Sequence, residues 1–469
     1  MRLKDFYPEI NVDKEVKNIV SNSESDLNDA IFVCRKGKKF DSHDLVDKIK
    51  DKVAFIVSEK PLDSDIPHIV VSDTSLELAR LLMLMYGDAI RNIKLIGITG
   101  TDGKTTTASI VYHVLNSFGA AYLGTNGLFY NNQEKDIGNT TPGINDMYKY
   151  LLELKREKIN YLSMEVSSHG IKQNRVRFLP FKYKVFTNLS HEHLDEFGDM
   201  ETYYQAKKAL FTDENHQAIS IINIDDSYGF RLFNELKTPK IAFGKNVRAD
   251  FQITNLQTFI DYSKFSFIYR EHHLHEMKIS LPCEYNVYNS IPAIIIAINE
   301  FMSLKKIAQQ LAEIPQIKGR FERFSVKDFS VIIDFAHTPN SLKNLLENIN
   351  KMGYNQTILV IGAAGNKDKT KRAEMGLTAS KLANHVFFTE EDSDIESTET
   401  IIKMLTADIE SDNYTIELDR KKAINKALKS AKSGDVVVIT GKGLEVTLKK
   451  KDEVVSHSDL DVILEFKEN

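Results

Sequence analysis

The 469 residues carry 61 Lys+Arg against 66 Asp+Glu, a net charge of -5 with the signs interspersed, which excludes a basic field for nucleic acid or for an anionic membrane surface. Hydrophobic residues are 42% and charged residues 27%, too apolar for wholesale disorder, and at about 150 residues per domain the length allows about three domains. Cys34 and Cys283 stand far apart without metal-ligand spacing, so a disulfide framework and a zinc site are excluded, and both read as buried small hydrophobes in a reducing cytosol.

The N-terminal MRLKDFYPEINVDKEVKNIV lacks the apolar run of a targeting signal, and nothing approaches the ~20 apolar residues of a membrane span. A soluble, cytoplasmic protein with no membrane or nucleic-acid partner is expected. Residues 1–91 read as a small α/β domain, with the apolar runs AIFVC and VAFIVS as strands. LELARLLMLMYG follows with helical spacing and Gly87 as its expected stop.

Residues 92–316 open with the strand-like KLIGITG, a glycine turn and the helix-like KTTTASIVYHVLNSF. YLSMEV, YKVFTNL and AISIINI recur as apolar strands between helical stretches, the pattern of a mostly parallel sheet with helices on both faces. Residues 317–469 repeat the alternation with VIIDFA, TILVIGAAG, HVFFTE and DVVVIT, as in a Rossmann-like unit. The expectation is an α/β protein of three domains.

Gly100, Thr101, Asp102, Gly103, Lys104, Thr105 and Thr106 lie between a strand and a helix, where backbone N–H groups can surround phosphates, Lys104 can reach the terminal phosphates and a Thr hydroxyl can ligate Mg2+. The strict Walker pattern is missed because Ile98 stands where its first glycine would be. ATP binding is nonetheless the reading the loop supports, over a plain strand-to-helix turn with a surface lysine. Glu165 and His193 follow strands at equivalent ends, where open α/β sheets place ligands, and a carboxylate and a neutral imidazole can partner phosphate-bound Mg2+. Lys207 shares a helix face with Tyr203, Leu210 and Phe211; composition alone would lay its stem on that face with the ammonium in solvent.

These stretches resemble a known family. GITGTDGKTTTA, NTTPG, MEVSSHGIKQNRV, FTNLSHEHLDEFGDMETYYQAKKALF, NVYN, GRFE, IIDFAHTPNSL, GAAGNKDKTKR and ITGKGLE are similar, in order and spacing, to the motifs of the Mur ligases, with the N-terminal segment loosely similar to a uridine-binding domain. The resemblance implies a monomeric ATP-dependent ligase of cell-wall synthesis that adds the third residue of the stem peptide to UDP-N-acetylmuramoyl-L-alanyl-D-glutamate through an acyl phosphate, with closure of the C-terminal domain on binding. It implies ATP contacts from Asn289, Arg320, Asp334 and His337, with His337 ordering the hinge. Thr105, Glu165, His193 and Lys207 would hold Mg2+, with Lys207 carbamylated and thus anionic. Substrate contacts would come from Ser23, Thr140, Thr141, Ser167, Gln173 and Arg175, although the uracil-side motif is altered to Asn22-Ser23-Glu24.

The incoming amino acid is expected in the third domain, through Lys367, Asp392, Asp394, Gly441 and Glu445. Diaminopimelate-adding relatives carry Asp-Asn-Pro-Arg where this chain has Glu391-Asp392-Ser393-Asp394, so the arginine that would grip a distal carboxylate is missing. An acidic pocket from Glu391, Asp392, Asp394 and Glu445 would repel a second carboxylate and favour an ammonium, which points to L-lysine ahead of L-ornithine or diaminopimelate. Folylpolyglutamate synthetase and a non-catalytic Mur-like regulatory protein are the competing readings. The N-terminal segment weighs against the first, intact Lys104, Glu165, His193 and Lys207 against the second.

Overall fold

A computed structural model describes residues 1–468 except 38–39, 214–216 and 270–272; residues 38–39 fall in the N-terminal segment likened to a uridine-binding domain and lie outside the described residues. Three large sheets follow one another along the chain. The first pairs Asn18–Val20, Ala30–Val33, Phe55–Ser58 and His68–Val70 side by side in chain order, all parallel. The short apolar runs form its strands because both faces are covered, so alternation of polar and apolar residues is unnecessary.

The second sheet has 11 strands among the described residues. At its centre Lys94–Thr99 lies between Phe181–Phe186 and Tyr161–Glu165, all parallel, and Leu95, Ile96 and Ile98 are fully buried. Antiparallel strands flank this centre: Gly127–Tyr130 and Gln133–Lys135 on one side, Ser263–Tyr269 and His273–Ile279 on the other. The helices Lys104–Leu115 and Glu284–Asn299 pack together on one face. On the other face one apolar core runs on without a break into the first sheet, with helix Thr74–Ile90 against helix Ile144–Arg156. That helix passes through Gly87, the expected stop: Gly87 is buried against Met83 in the helix interior, and no left-handed residue ends the helix there.

The third sheet orders Glu322–Val326, Phe329–Asp334, Val436–Thr440, Thr357–Ile361, His385–Phe388 and Tyr414–Ile416, antiparallel only at its first pair and buried on both faces. Cys34 and Cys283 are buried and free. No helix among the described residues is long and apolar enough to cross a membrane.

Candidate active site

The carboxyl ends of the central strands of the second sheet open onto a cavity of about 560 Å³, which the beginning of the third sheet closes on its far side. The loop Gly100–Lys104 forms its floor. Two glycines are obligatory there. Gly100 has φ +151 and a Cβ on it would collide with Thr187 Oγ1, and Gly103 has φ +83 with Asn289 Oδ1 2.4 Å from the place of its Cβ. Lys104 curls back, its Nζ donating to the carbonyls of Gly100 at 3.0 Å and Thr101 at 2.7 Å. Thr101, Asp102, Thr105 and Thr106 line the same cavity, as does Asn289 from helix Glu284–Asn299.

Lys207 is 1% exposed, not reaching solvent, and its Nζ lies 2.8 Å from the same Gly100 carbonyl. Burial, followed by the charge of Lys104, holds its pKa well below the usual lysine range, which favours the uncharged amine. The fold overrides the surface-lysine reading because helix Met200–Lys208 is pressed against the phosphate loop on its lysine face. The enclosed position of His193 lowers its pKa to about 4, with Glu192 opposing, which favours the neutral ring.

Glu165 is buried and fully engaged. Its Oε1 accepts from Tyr122 O–H at 2.6 Å and Thr125 N–H at 2.8 Å; its Oε2 accepts from Thr105 O–H at 2.9 Å and Thr125 O–H at 3.3 Å. Tyr122 and Thr125 were not singled out from the sequence. Tyr122 lies in the middle of strand Ala120–Gly124 and Thr125 in the turn after it, both of ordinary composition and without a motif signal.

From the third sheet, Arg320 donates to Thr105 Oγ1 at 3.1 Å, with its guanidinium 4.4 Å from the centre of the Phe335 ring. Asp334 accepts from the N–H groups of Phe321 at 2.7 Å and Ala336 at 2.8 Å; burial nonetheless raises its pKa. His337 Nε2 meets Glu192 Oε1 at 2.6 Å and its Nδ1 lies 2.8 Å from the Phe335 carbonyl, so the ring spans the second and third sheets. Burial opposes the Glu192 carboxylate, but His337 overrides it and brings the carboxyl well below its usual range. Glu192 was missed as a partner, although it lies within the quoted SHEHLDE.

Thr140, Thr141, Ser167, Gln173 and Arg175 line the wall toward the first sheet. Thr140 and Thr125 hydroxyls meet at 3.0 Å, and Thr141 O–H is shared between the Glu165 carbonyl at 3.0 Å and Ser167 Oγ at 3.1 Å. Arg175 donates to Thr141 O at 2.6 Å and to Gln173 Oε1 at 2.7 and 3.0 Å. Ser23 is exposed and is not among the residues lining this cavity.

The amino-acid residues divide. Lys367 lines the cavity, whereas Asp392, Asp394, Gly441 and Glu445 do not; they follow the strands His385–Phe388 and Val436–Thr440. The expected open acidic pocket is corrected here: Lys442, 1% exposed, donates to Asp392 Oδ1 at 2.6 Å and to Glu445, so two of the four carboxylates are already neutralised. A buried ammonium requires such partners. Glu391 is buried against the Gly441 backbone, has an Oε2 without a hydrogen bond, and its pKa is raised by burial. Asp394 accepts from Asn366 Nδ2 at 3.4 Å and has no cationic partner among the described residues.

Residues 98–297 match the Mur ligase middle domain, and residues 319–443 match the Mur ligase, glutamate ligase domain. Over 460 residues the chain is 34% identical to UDP-N-acetylmuramoyl-L-alanyl-D-glutamate--2,6-diaminopimelate ligase 1 of Clostridium acetobutylicum, covering 96% of this chain and 95% of that one. It shares its fold with a solved UDP-N-acetylmuramoyl-L-alanyl-D-glutamate--2,6-diaminopimelate ligase at TM-score 0.72 and 23% identity, covering 100% of this chain and 99% of that one. The MurF ligase of Thermotoga maritima, solved in complex with ADP, has the same fold at TM-score 0.63 and 20% identity, covering 97% of each chain. The class is therefore that of ATP-dependent amino-acid ligases. Within it, the chain belongs to the Mur ligase family.

Proposed function

We propose that this ligase joins an amino acid to the D-glutamyl carboxylate of UDP-N-acetylmuramoyl-L-alanyl-D-glutamate, in peptidoglycan synthesis. The observation that carries the reading is the convergence of Lys104, Glu165, His193 and Lys207 on one cavity whose opposite wall holds Thr140, Thr141 and Arg175. A phosphate loop on one side and a wall of hydroxyls and a guanidinium on the other suit a nucleotide triphosphate facing a sugar nucleotide.

A carboxylate is a poor acyl donor. Its oxygen attacks the γ-phosphorus of ATP, releasing ADP and forming an acyl phosphate; the amine then attacks the acyl carbon, and phosphate leaves with the former carboxylate oxygen. Lys104, with no carboxylate partner among the described residues, is the cation available to the transferring phosphoryl group. Asn289, Arg320 and Asp334 lie where the rest of the ATP would be held, and closure of the third domain across the cavity excludes water.

The donor set accepts magnesium only in the form that cation prefers. Among the described residues no cluster of three or more acidic, His or Cys side chains could hold a metal alone, but Thr105, Glu165 and the neutral His193 could complete a shell made mainly of phosphate oxygens and water. Bound there, Mg2+ supplies charge neutralisation to the phosphoryl group. Lys207, a buried amine whose pKa burial lowers, could add to CO2 with loss of a proton, and the resulting carbamate would turn it into an oxygen ligand.

For the amino acid, Asp394 has no cationic partner among the described residues, and its negative charge favours L-lysine, with Lys367 for the α-carboxylate. The names of the similar ligases favour the alternative, diaminopimelate. A panel of amino acids, scored by ADP release with UDP-muramoyl-dipeptide present, separates them. At least tenfold higher kcat/KM for L-lysine is expected; preference for diaminopimelate overturns the lysine assignment, and no amino-acid-dependent release overturns the ligase reading.

A further inference from the structure

The acidic segment 390–394 and the loop 441–445 leave the third sheet from strands that are not neighbours, because Thr357–Ile361 lies between His385–Phe388 and Val436–Thr440. No ladder hydrogen bond can therefore set the distance between them. The two loops meet at the end of the middle strand. Gly362 follows that strand with the place of its Cβ 2.9 Å from Glu391 Cβ, Glu391 packs on Gly441, and Lys442 reaches Asp392 Oδ1 at 2.6 Å.

A further link between the two is Arg420, whose side chain is wholly buried. Its Nη2 donates to the Thr440 carbonyl at 2.8 Å and its Nη1 to the Glu390 carbonyl at 3.3 Å, so one guanidinium holds both strand ends. Asp459, equally buried at the start of helix Asp459–Glu468, accepts from Arg420 Nε at 2.8 Å and Nη2 at 2.7 Å, and His457 Nε2 lies 2.8 Å from the same carboxylate. Burial opposes ionisation of Asp459, but the Arg420 charge overrides it and lowers the pKa. The hairpin ahead of this helix, Thr447–Lys450 with Glu453–Ser456, is bonded along the acidic segment itself. Lys449 N–H donates to Asp392 Oδ1 at 3.0 Å, the Lys449 carbonyl accepts from Asp394 N–H at 3.1 Å, and Lys450 Nζ lies 3.0 Å from Glu390 Oε2.

A buried ion pair adds little stability over an apolar pair of the same volume, because desolvation cancels most of the attraction. What an apolar pair cannot do is donate to two carbonyls on separate loops. We infer that Arg420 and Asp459 are positioning residues for the incoming amino acid: without touching it, they fix the two strand ends that flank its side chain, with the C-terminal hairpin and helix as their support. The inference deepens the proposed function and rests on it for the identity of the ligand.

The paired variant Arg420→Met with Asp459→Leu removes both charges together and should unfold at a temperature near that of wild type. Its KM for the amino acid should rise about tenfold or more, while KM for ATP, KM for UDP-muramoyl-dipeptide and kcat at saturating amino acid stay within about threefold of wild type. Hydrogen exchange should quicken at the amides of 390–394 and 441–445 and stay unchanged in the strands of the second sheet. Arg420→Lys, which keeps the charge and loses the fork, should fall between the two proteins on both readouts; should the paired variant not fold, this variant decides by the same split. An unchanged KM for the amino acid, an equal rise in all three KM values, or exchange at the two loops equal to wild type would each overturn the inference. Quickened exchange at the two loops, with no amino acid supporting ADP release by the wild-type protein, would instead overturn the functional reading alone.

Discussion

The phosphate loop and the Glu391–Asp394 strand end are both built from charge at the carboxyl edge of a parallel sheet, yet they handle it in opposite ways. At the loop, Lys104 and Lys207 share the Gly100 carbonyl and neither has a carboxylate partner among the described residues. At the strand end, Lys442 is buried between Asp392 and Glu445. A cation left without a partner, as Lys104 is, marks where an anion is still to come, whereas the compensated Lys442 is part of the scaffold. The same logic separates Asp394, which lacks a cation, from Asp392, which has one.

This contrast can be broken most severely at Lys207. Lys207→Arg places a permanently charged group where burial disfavours a charge, and turnover should fall by about a thousandfold or more while ADP binding survives. Retention of turnover would show that no uncharged amine is needed. Next, Lys104→Met and Lys442→Met should separate activity from stability. The first should lower kcat by about 10²–10³ with little change in the urea midpoint. The second should cost about 1–3 kcal/mol of stability by leaving two carboxylates facing each other. A stability loss for Lys104→Met as large as that for Lys442→Met would contradict the division into vacant and compensated charge.

Smaller effects sharpen the strand end. Asp394→Arg should shift the kcat/KM ratio of diaminopimelate over L-lysine upward by about 10- to 100-fold, since it exchanges a repulsive charge for a fork. An unchanged ratio would remove Asp394 from the specificity argument. Beneath it, Glu396 anchors the Asn366–Arg372 loop that carries Lys367, bonding Arg372 at 2.9 and 3.0 Å and the Asn366 N–H at 2.7 Å. Arg372 foremost lowers the Glu396 pKa from 4.5 to about 2. A depressed folded-state pKa means that the stabilisation is present above pH 4.5 and is lost as pH falls toward 2. Thermal unfolding from pH 6 to pH 2.5 should therefore converge for wild type and Glu396→Gln, from a difference of at most about 3 kcal/mol. Parallel curves would exclude the pair.

Much of this was legible in the residues. Continuous apolar runs such as KLIGIT and VVVIT announced doubly covered parallel strands, and Gly100 and Gly103 announced a tight strand-to-helix turn, because backbone geometry restricts residue choice there. The antiparallel flanks of the second sheet were not legible, since strands such as Gln133–Lys135 have no apolar pattern and form by edge pairing. Nor was compensation. Lys442 was in view within ITGKGLE, but which carboxylates it neutralises is a property of three-dimensional packing. The same holds for Tyr122 and Thr125 around Glu165.

The account stands on an acyl phosphate formed in the cavity between the phosphate loop and the Thr140–Arg175 wall. Single-turnover reaction of UDP-muramoyl-dipeptide labelled with ¹⁸O in the D-glutamyl carboxylate, followed by mass analysis of the phosphate released, tests it most directly. The predicted result is one ¹⁸O transferred to phosphate for each peptide bond formed; phosphate free of label, with peptide bond formation intact, would contradict it.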